Sequence, residues 1–148
     1  MSYAAIGLYN PKSAVNVGHV LRAAGCFNAA MVATGGATRR YQKSPTDVGS
    51  EWAKRPLLQV NDLREAIPYN CVPVAIEVGG RETLPSYQHP ERAFYVFGPE
   101  DSSLGRRNLD WCRDVVSIPA GCLNLAAAVN IVLYDRAAKE RVRLMEAS

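Results

Sequence analysis

Short apolar runs recur along the chain, each closed by Gly, Pro, Asn or a polar turn. Tyr3–Tyr9 (YAAIGLY), Ala29–Thr34 (AAMVAT), Val72–Val78 (VPVAIEV), Ala93–Gly98 (AFYVFG) and Val115–Ile118 (VVSI) read as buried strands, with Pro56–Val60 (PLLQV) as a sixth. Between them the period changes. Ser13–Gly25 carries Val17, Val20, Leu21 and Ala24 at i, i+3, i+4 and i+7, one helical stripe. Asp62–Ala66, Leu104–Cys112 and Leu123–Glu140 are predicted as further helices. Strands covered on both faces and interleaved with helices predict an α/β fold, a single domain over residues 1–148. Its core is a mainly parallel sheet of five or six strands flanked by helices.

Composition narrows this picture only modestly. At 48% apolar and 21% charged residues, the 148-residue chain has enough hydrophobic material for a core, which excludes general disorder. A net charge of +3 is compatible with an anionic partner such as RNA without demanding one. Cys26, Cys71, Cys112 and Cys122 form no C-x-x-C pair, and His19 and His89 are isolated, so no metal site is expected. The N-terminus lacks a signal-peptide pattern, and no apolar run approaches the ~20 residues of a membrane span. A cytoplasmic protein with free thiols and no membrane partner is the expectation.

Open α/β sheets bind ligands beyond the carboxyl ends of their strands. Here those positions read NPKSAVNVGHVLR, EVGGRE, GPEDSSLG and PAGCLN. In the first, Gly18 and Arg22 share a helix face, and a helical Gly costs about 1 kcal/mol relative to Ala, which signals close backbone approach. Arg22 lies off the apolar stripe, either as an ordinary surface Arg or as a guanidinium for phosphate or ribose oxygens. In the third, Gly98 and Pro99 stop a strand, Glu100 and Asp101 follow, and Ser102 or Ser103 would cap the helix at Leu104. In the last, Asn124 either caps a helix or faces a ligand. The run Ala126–Ala128 permits close packing, and apolar residues continue nearly all round to Leu133. That pattern predicts a buried helix and a homodimer through it.

The least regular stretch, Gly35–Pro56, holds Arg39, Arg40, Lys43, Lys54 and Arg55 together with Tyr41 and Trp52. Its aromatics are placed either to stack on unpaired bases or to pin a solvated loop.

Taken in order, three segments resemble the motifs of the SpoU/TrmH family of SPOUT-class RNA 2′-O-ribose methyltransferases. The pattern N-x-G-N-I/V-x-R is met at Asn16, Gly18, Val20 and Arg22, with His19 at the second Asn. F-G-x-E-x-x-G-L is met at Phe97, Gly98 and Glu100, with the Leu–Gly order reversed. I-P…S-L-N-L/V-S/A-x-A is met at Ile118, Pro119, Leu123, Asn124 and Leu125, followed by the Tyr134–Asp135–Arg136 of one branch. Cys122 stands at the motif's Ser, and Ala126 at its second small hydroxyl.

The resemblance implies a C-terminal deep trefoil knot, a rare departure from unknotted chains. It implies S-adenosylmethionine held by Ile76, Gly98, Pro99, Ile118, Cys122 and Leu123. It also implies a homodimer through the C-terminal helix, with each site completed across it, and a tRNA or rRNA substrate contacted by Arg39, Arg40 and Lys43. Arg22 is implied as the residue beside the ribose 2′-hydroxyl, with Asn16, Glu100 and Asn124 positioning Arg22, the ribose and the methionine part of the cofactor. An Arg stays protonated, so its role is to fix phosphate and stabilise developing negative charge. Two other classes compete. A catalytically silent knot protein is favoured by Cys122 and opposed by the joint presence of Asn16, Arg22, Glu100 and Asn124. A dinucleotide-binding oxidoreductase is disfavoured, because no G-x-G-x-x-G follows the first strand.

Overall fold

In the computed structural model, which describes residues 2–36 and 41–148, the apolar runs become a single parallel sheet. Its strands are β1 (Tyr3–Tyr9), β2 (Val32–Gly35), β3 (Leu57–Gln59), β4 (Val72–Ile76), β5 (Glu82–Thr83), β6 (Arg92–Phe97) and β7 (Asp114–Ser117). They lie in the order β3-β2-β1-β6-β4-β7-β5, and every pair is parallel. The expected five or six strands are therefore seven. The extra one, β5, is two exposed residues with no apolar run to announce it. It joins by backbone register alone, Glu82 opposite Val116 and Thr83 opposite Ser117.

The sheet is covered on both faces, as its apolar strands require. One face packs Ile6, Leu8, Val74 and Tyr95 under α1 (Ala14–Cys26) and α3 (Leu125–Ala147). The other packs Ala5, Ala33, Phe94 and Val96 under Leu63 and Leu104. Gly7 belongs to this second face because the Phe94 ring lies against it; a Cβ there would stand 2.5 Å from the ring.

The helices depart from expectation in instructive ways. Asp62–Ala66 is a 3-10 turn over Leu63–Ala66, capped by the Asp62 carboxylate, which accepts from Arg64 N at 3.0 Å. The helix expected over Leu104–Cys112 shrinks to one turn, α2 (Arg106–Leu109), because Gly105 adopts φ +76° and breaks the run. Neither Ser102 nor Ser103 caps it; Gly105 holds the cap position. In contrast, α3 runs seven residues past Glu140 to Ala147, through good helix formers with no stop signal.

The Gly inside α1 does mark a close approach. The segment around Ser44–Asp47 lies against it, and Thr46 Oγ1 donates to Val15 O at 2.8 Å. A Cβ on Gly18 would fall 2.2 Å from Thr46 Oγ1 and 3.1 Å from Asp47 N.

At the opposite edge of the sheet, α3 is tied down by polar contacts. Arg136, only 8% exposed, donates to Pro90 O (2.7 Å), Glu91 O (2.7 Å), Ser2 Oγ (2.9 Å) and Tyr95 Oη (3.0 Å). Buried His89 bridges Tyr95 Oη at 2.6 Å and Asp135 Oδ2 at 2.8 Å, and Lys139 pairs with the same Asp135 oxygen at 2.7 Å. A neutral imidazole satisfies every member: Nε2–H donates to the carboxylate and Nδ1 accepts from the phenol. Burial holds the His89 pKa below its ordinary 6.5, against the opposing pull of Asp135. Asp135 and Arg136 of the Tyr-Asp-Arg signature thus serve this network, while Tyr134 is exposed.

Two outcomes follow. Gly18→Ala gains about 1 kcal/mol of helix propensity but meets a hydroxyl and backbone that cannot both retreat, so urea unfolding should show a net loss of about 1–2 kcal/mol. Unfolded chains bind a proton at His89 before the folded protein does, so stability should fall as pH drops below about 6.5. In chemical unfolding between pH 7.5 and 5, His89→Gln should show a shallower pH slope than wild type.

Candidate functional site

Because all paired strands run parallel, β4, β6 and β7 deliver their chains to the same edge. Three loops leave there and enclose a cavity of about 380 Å³. Ile76 to Val78 come from β4, Phe97 to Ser103 from β6, and Ile118 with Gly121–Leu123 from β7, with Leu125 and Ala128 of α3 as a floor. The mixture of apolar walls and a few carboxylates is that of a small-molecule site.

Glu77 knits the loops together. Its N–H donates to Val116 O at 3.0 Å, and its carboxylate accepts from Leu104 N at 2.8 Å and Val78 N at 3.2 Å. Two glycines allow the close approach. A Cβ on Gly80 would stand 2.9 Å from Val115 O, and one on Gly98 would stand 3.0 Å from Leu104 N. After β7 the chain reverses tightly at Pro119, where Ala120 N donates to Ile118 O at 2.7 Å.

A second clamp joins α1 to this wall. Glu100 Oε1 accepts from Asn16 Nδ2 at 2.8 Å, and Glu100 Oε2 accepts from Lys12 N at 3.1 Å. Lys12 Nζ lies 3.8 Å from Asp101 Oδ2. With both oxygens held, Glu100 fixes the start of α1 over the cavity rim. Ser13 caps the same helix, accepting from Asn16 N at 3.2 Å.

The residues singled out in the sequence divide accordingly. Ile76, Gly98, Pro99, Glu100, Ile118, Cys122 and Leu123 all line the one cavity. Asn16 reaches it through Glu100. Asn124 stands at its edge as the N-cap of α3, its Oδ1 accepting from Ala127 N at 2.8 Å. Arg22 is not brought in: it lies exposed on α1, six residues or about 9 Å beyond Asn16, and lines no part of the cavity. Lys43 is exposed, with Nζ 6.0 Å from the Trp52 ring. Arg39 and Arg40 lie outside the described residues. Glu77 and Lys12 were missed as individuals, although each sits in a strand-end segment and Glu77 directly follows an apolar run. Among the described residues, no group of three or more His, Cys, Asp or Glu side chains is placed to hold a metal ion, and no helix is long and apolar enough to cross a membrane.

The sequence profile of the SpoU rRNA Methylase family matches residues 3–134, nearly the whole chain. The chain belongs to the SpoU rRNA methylase family. Solved structures share its fold. The SpoU methyltransferase AviRb from Streptomyces viridochromogenes, in complex with AdoMet, superposes with a TM-score of 0.85 at 20% identity, covering 95% of this chain and 62% of that one. A protein described for 2-OH methylation of C/U34 on tRNA gives 0.81 at 23% identity, over 95% of this chain and 97% of that one. An AdoMet-bound rRNA methyltransferase from Sinorhizobium meliloti gives 0.81 at 21%, over 93% and 56%. This SpoU-family chain thus spans about three fifths of the length of AviRb. At these identities the likeness is one of fold. No curated protein matches the chain.

The SpoU-family site makes a test of Asn124. As a cap, Asn124→Ala should lose about 1 kcal/mol of stability, and Asn124→Asp should restore most of it. Thermal unfolding of the pair measures this; an Asp variant no better than Ala would assign the amide to something other than the cap.

Proposed function

We propose that the protein transfers a methyl group from S-adenosylmethionine to a ribose 2′-hydroxyl of tRNA or rRNA. The observation that carries this reading is that the second and third motif segments line one cavity, to which the first is joined by the hydrogen bond between Asn16 and Glu100. The cavity suits the cofactor: apolar walls from Ile76, Phe97, Ile118 and Leu123 for a flat ring system, and loop backbone brought close by Gly80 and Gly98. When bound, the cofactor would supply a sulfonium methyl: the ribose oxygen would form the new O–CH3 bond as the S–CH3 bond breaks, leaving S-adenosylhomocysteine, and the hydroxyl proton would pass to solvent.

The protein's residues provide alignment and exclusion of water, which suffice for an in-line displacement of this kind. Glu77, Gly98, Pro99, Ile118, Cys122 and Leu123 hold the cofactor pocket in shape. Glu100 and Asn16 fix α1 against it. The Arg22 guanidinium binds a phosphate near the reacting ribose and stabilises negative charge on the attacking oxygen. Lys43, with Arg39 and Arg40, contacts the RNA backbone.

A trefoil knot fits the strand order. β6 enters the sheet between β1 and β4, and β7 enters between β4 and β5, so later strands pass inside earlier ones. A homodimer fits α3. Opposite its buried face, Ile131, Tyr134, Ala138, Val142 and Met145 form one row at helical spacing, and four of the five are exposed large apolar residues. Completion of each site by a second copy also accounts for Arg22, which stands clear of the cavity of its own chain.

A catalytically silent binding protein remains the competing reading, because Cys122 lines the cavity where the motif has Ser. Labelled S-adenosylmethionine, incubated with total tRNA and rRNA, decides between them: label should appear as a 2′-O-methyl nucleotide. Tight cofactor binding with no transfer to any RNA would contradict the enzyme. Arg22→Ala should abolish transfer and leave cofactor affinity within about threefold. Mixed with the inactive Leu123→Glu, it should regain activity, since a mixed dimer keeps one intact site.

A further inference from the structure

Tyr41 and Trp52 look equivalent in sequence, but the structure separates them. The Tyr41 ring packs against the core, and its Oη accepts from Ser44 N at 3.3 Å. Trp52, by contrast, is 44% exposed. It is also held rigidly. Asp47 is 3% exposed, and both its oxygens are used on the turn that presents Trp52: Oδ1 accepts from Glu51 N at 2.8 Å and Oδ2 from Trp52 N at 3.1 Å. Arg55 pairs with Glu51 at 3.0 Å and donates to Ala29 O, tying the far side of the turn to the connection between α1 and β2. Ser50, which opens the turn, takes a left-handed φ of +50°. A buried carboxylate, an ion pair and a strained residue together present one bare indole.

The turn is also placed with respect to Arg22. Asp47 packs on Gly18, and the Glu51 carboxylate packs on Gly25. Those glycines are seven residues apart, on one row of α1. Arg22 lies between them in height and within about 60° of that row. The Trp52 turn therefore runs along the flank of α1 from which Arg22 projects. Positive charge borders the ring: Lys43 Nζ lies over it at 6.0 Å from the centroid, and Lys54, 59% exposed although its Nζ lies 3.5 Å from Glu51 Oε1, follows two residues on.

Resting on the methyl-transfer reading above, we infer that Trp52 is a stacking platform for an unpaired base of the substrate RNA, with Lys43 and Lys54 on the adjoining phosphates. A rigid, exposed indole flanked by cations is the arrangement by which single strands are gripped without demanding a particular base. The stacked nucleotide lies beside the one whose phosphate Arg22 holds, so the platform fixes the register of the strand over the site.

The probe is a twelve-nucleotide single-stranded RNA of mixed sequence at low salt. Wild-type tryptophan fluorescence should be quenched as it binds, and Trp52→Tyr, which retains Trp111, should bind without that quench. Trp52→Ala and Trp52→Leu should lose about tenfold or more in affinity, whereas Trp52→Tyr stays within about threefold. Lys43→Ala should reduce the salt dependence of binding. S-adenosylmethionine affinity should be unchanged in all four.

Equal affinity in wild type and Trp52→Ala would overturn the inference. Rescue by Leu as complete as by Tyr would overturn it too, since apolar bulk alone would then suffice. So would a Trp52→Ala variant with altered sedimentation mass, which would assign the ring to a protein interface. Absence of methyl transfer to any RNA by wild type defeats the preceding reading. Transfer by wild type with no effect of Trp52→Ala on binding defeats only this one.

Discussion

Parallel pairing throughout the sheet is the constraint on which the site depends. Parallel strands release their chains at one edge, and the strand order sets which chains become neighbours there. Because β4, β6 and β7 lie beside one another, loops far apart in sequence meet around one cavity. Glu77 then fastens them: its backbone to β7 and its carboxylate to the loop after β6. Remove the parallel order and the loops after β4, β6 and β7 have no reason to converge.

The same architecture leaves α3 with two tasks on opposite faces. Leu125, Val129, Val132 and Leu133 close the core, and Arg136, Asp135 and Lys139 fasten the helix to the far edge of the sheet. That fastening is polar and buried, so it is exacting: each donor has an acceptor only while His89 is neutral. The outward row carries Ile131, Tyr134, Val142 and Met145 exposed to solvent. A helix anchored this firmly on one side can present a fixed surface on the other.

Much of this was legible in the sequence. Six strands appear in uninterrupted apolar runs, and α1 in the spacing of Val17, Val20, Leu21 and Ala24. Gly18 signalled a close approach, and the approach exists. Asn124 was open between cap and ligand, and its side chain caps α3. What was not legible depended on tertiary placement. β5 has no pattern of its own and exists because β7 offers an edge. α2 was overestimated because Gly105 breaks a run whose neighbours favour a helix. Nothing local distinguishes Tyr41 from Trp52; only the packing of the Asp47 turn on α1 does. Likewise, no spacing rule reveals that Arg22 stands outside the cavity of its own chain.

In the proposed reaction one cavity, bounded by the loops after β4, β6 and β7, receives the cofactor. A second cavity of about 490 Å³ lies at the opposite edge of the sheet, among Tyr87, His89, Arg136 and Lys139, and serves as the internal control. Titration of isotope-labelled protein with S-adenosylmethionine, followed by amide NMR, compares the two directly. Shifts should concentrate at Glu77–Gly80, Gly98–Leu104 and Ile118–Leu125, with His89 and Arg136 unmoved. Shifts confined to the second cavity, or none at saturating cofactor, would contradict the account.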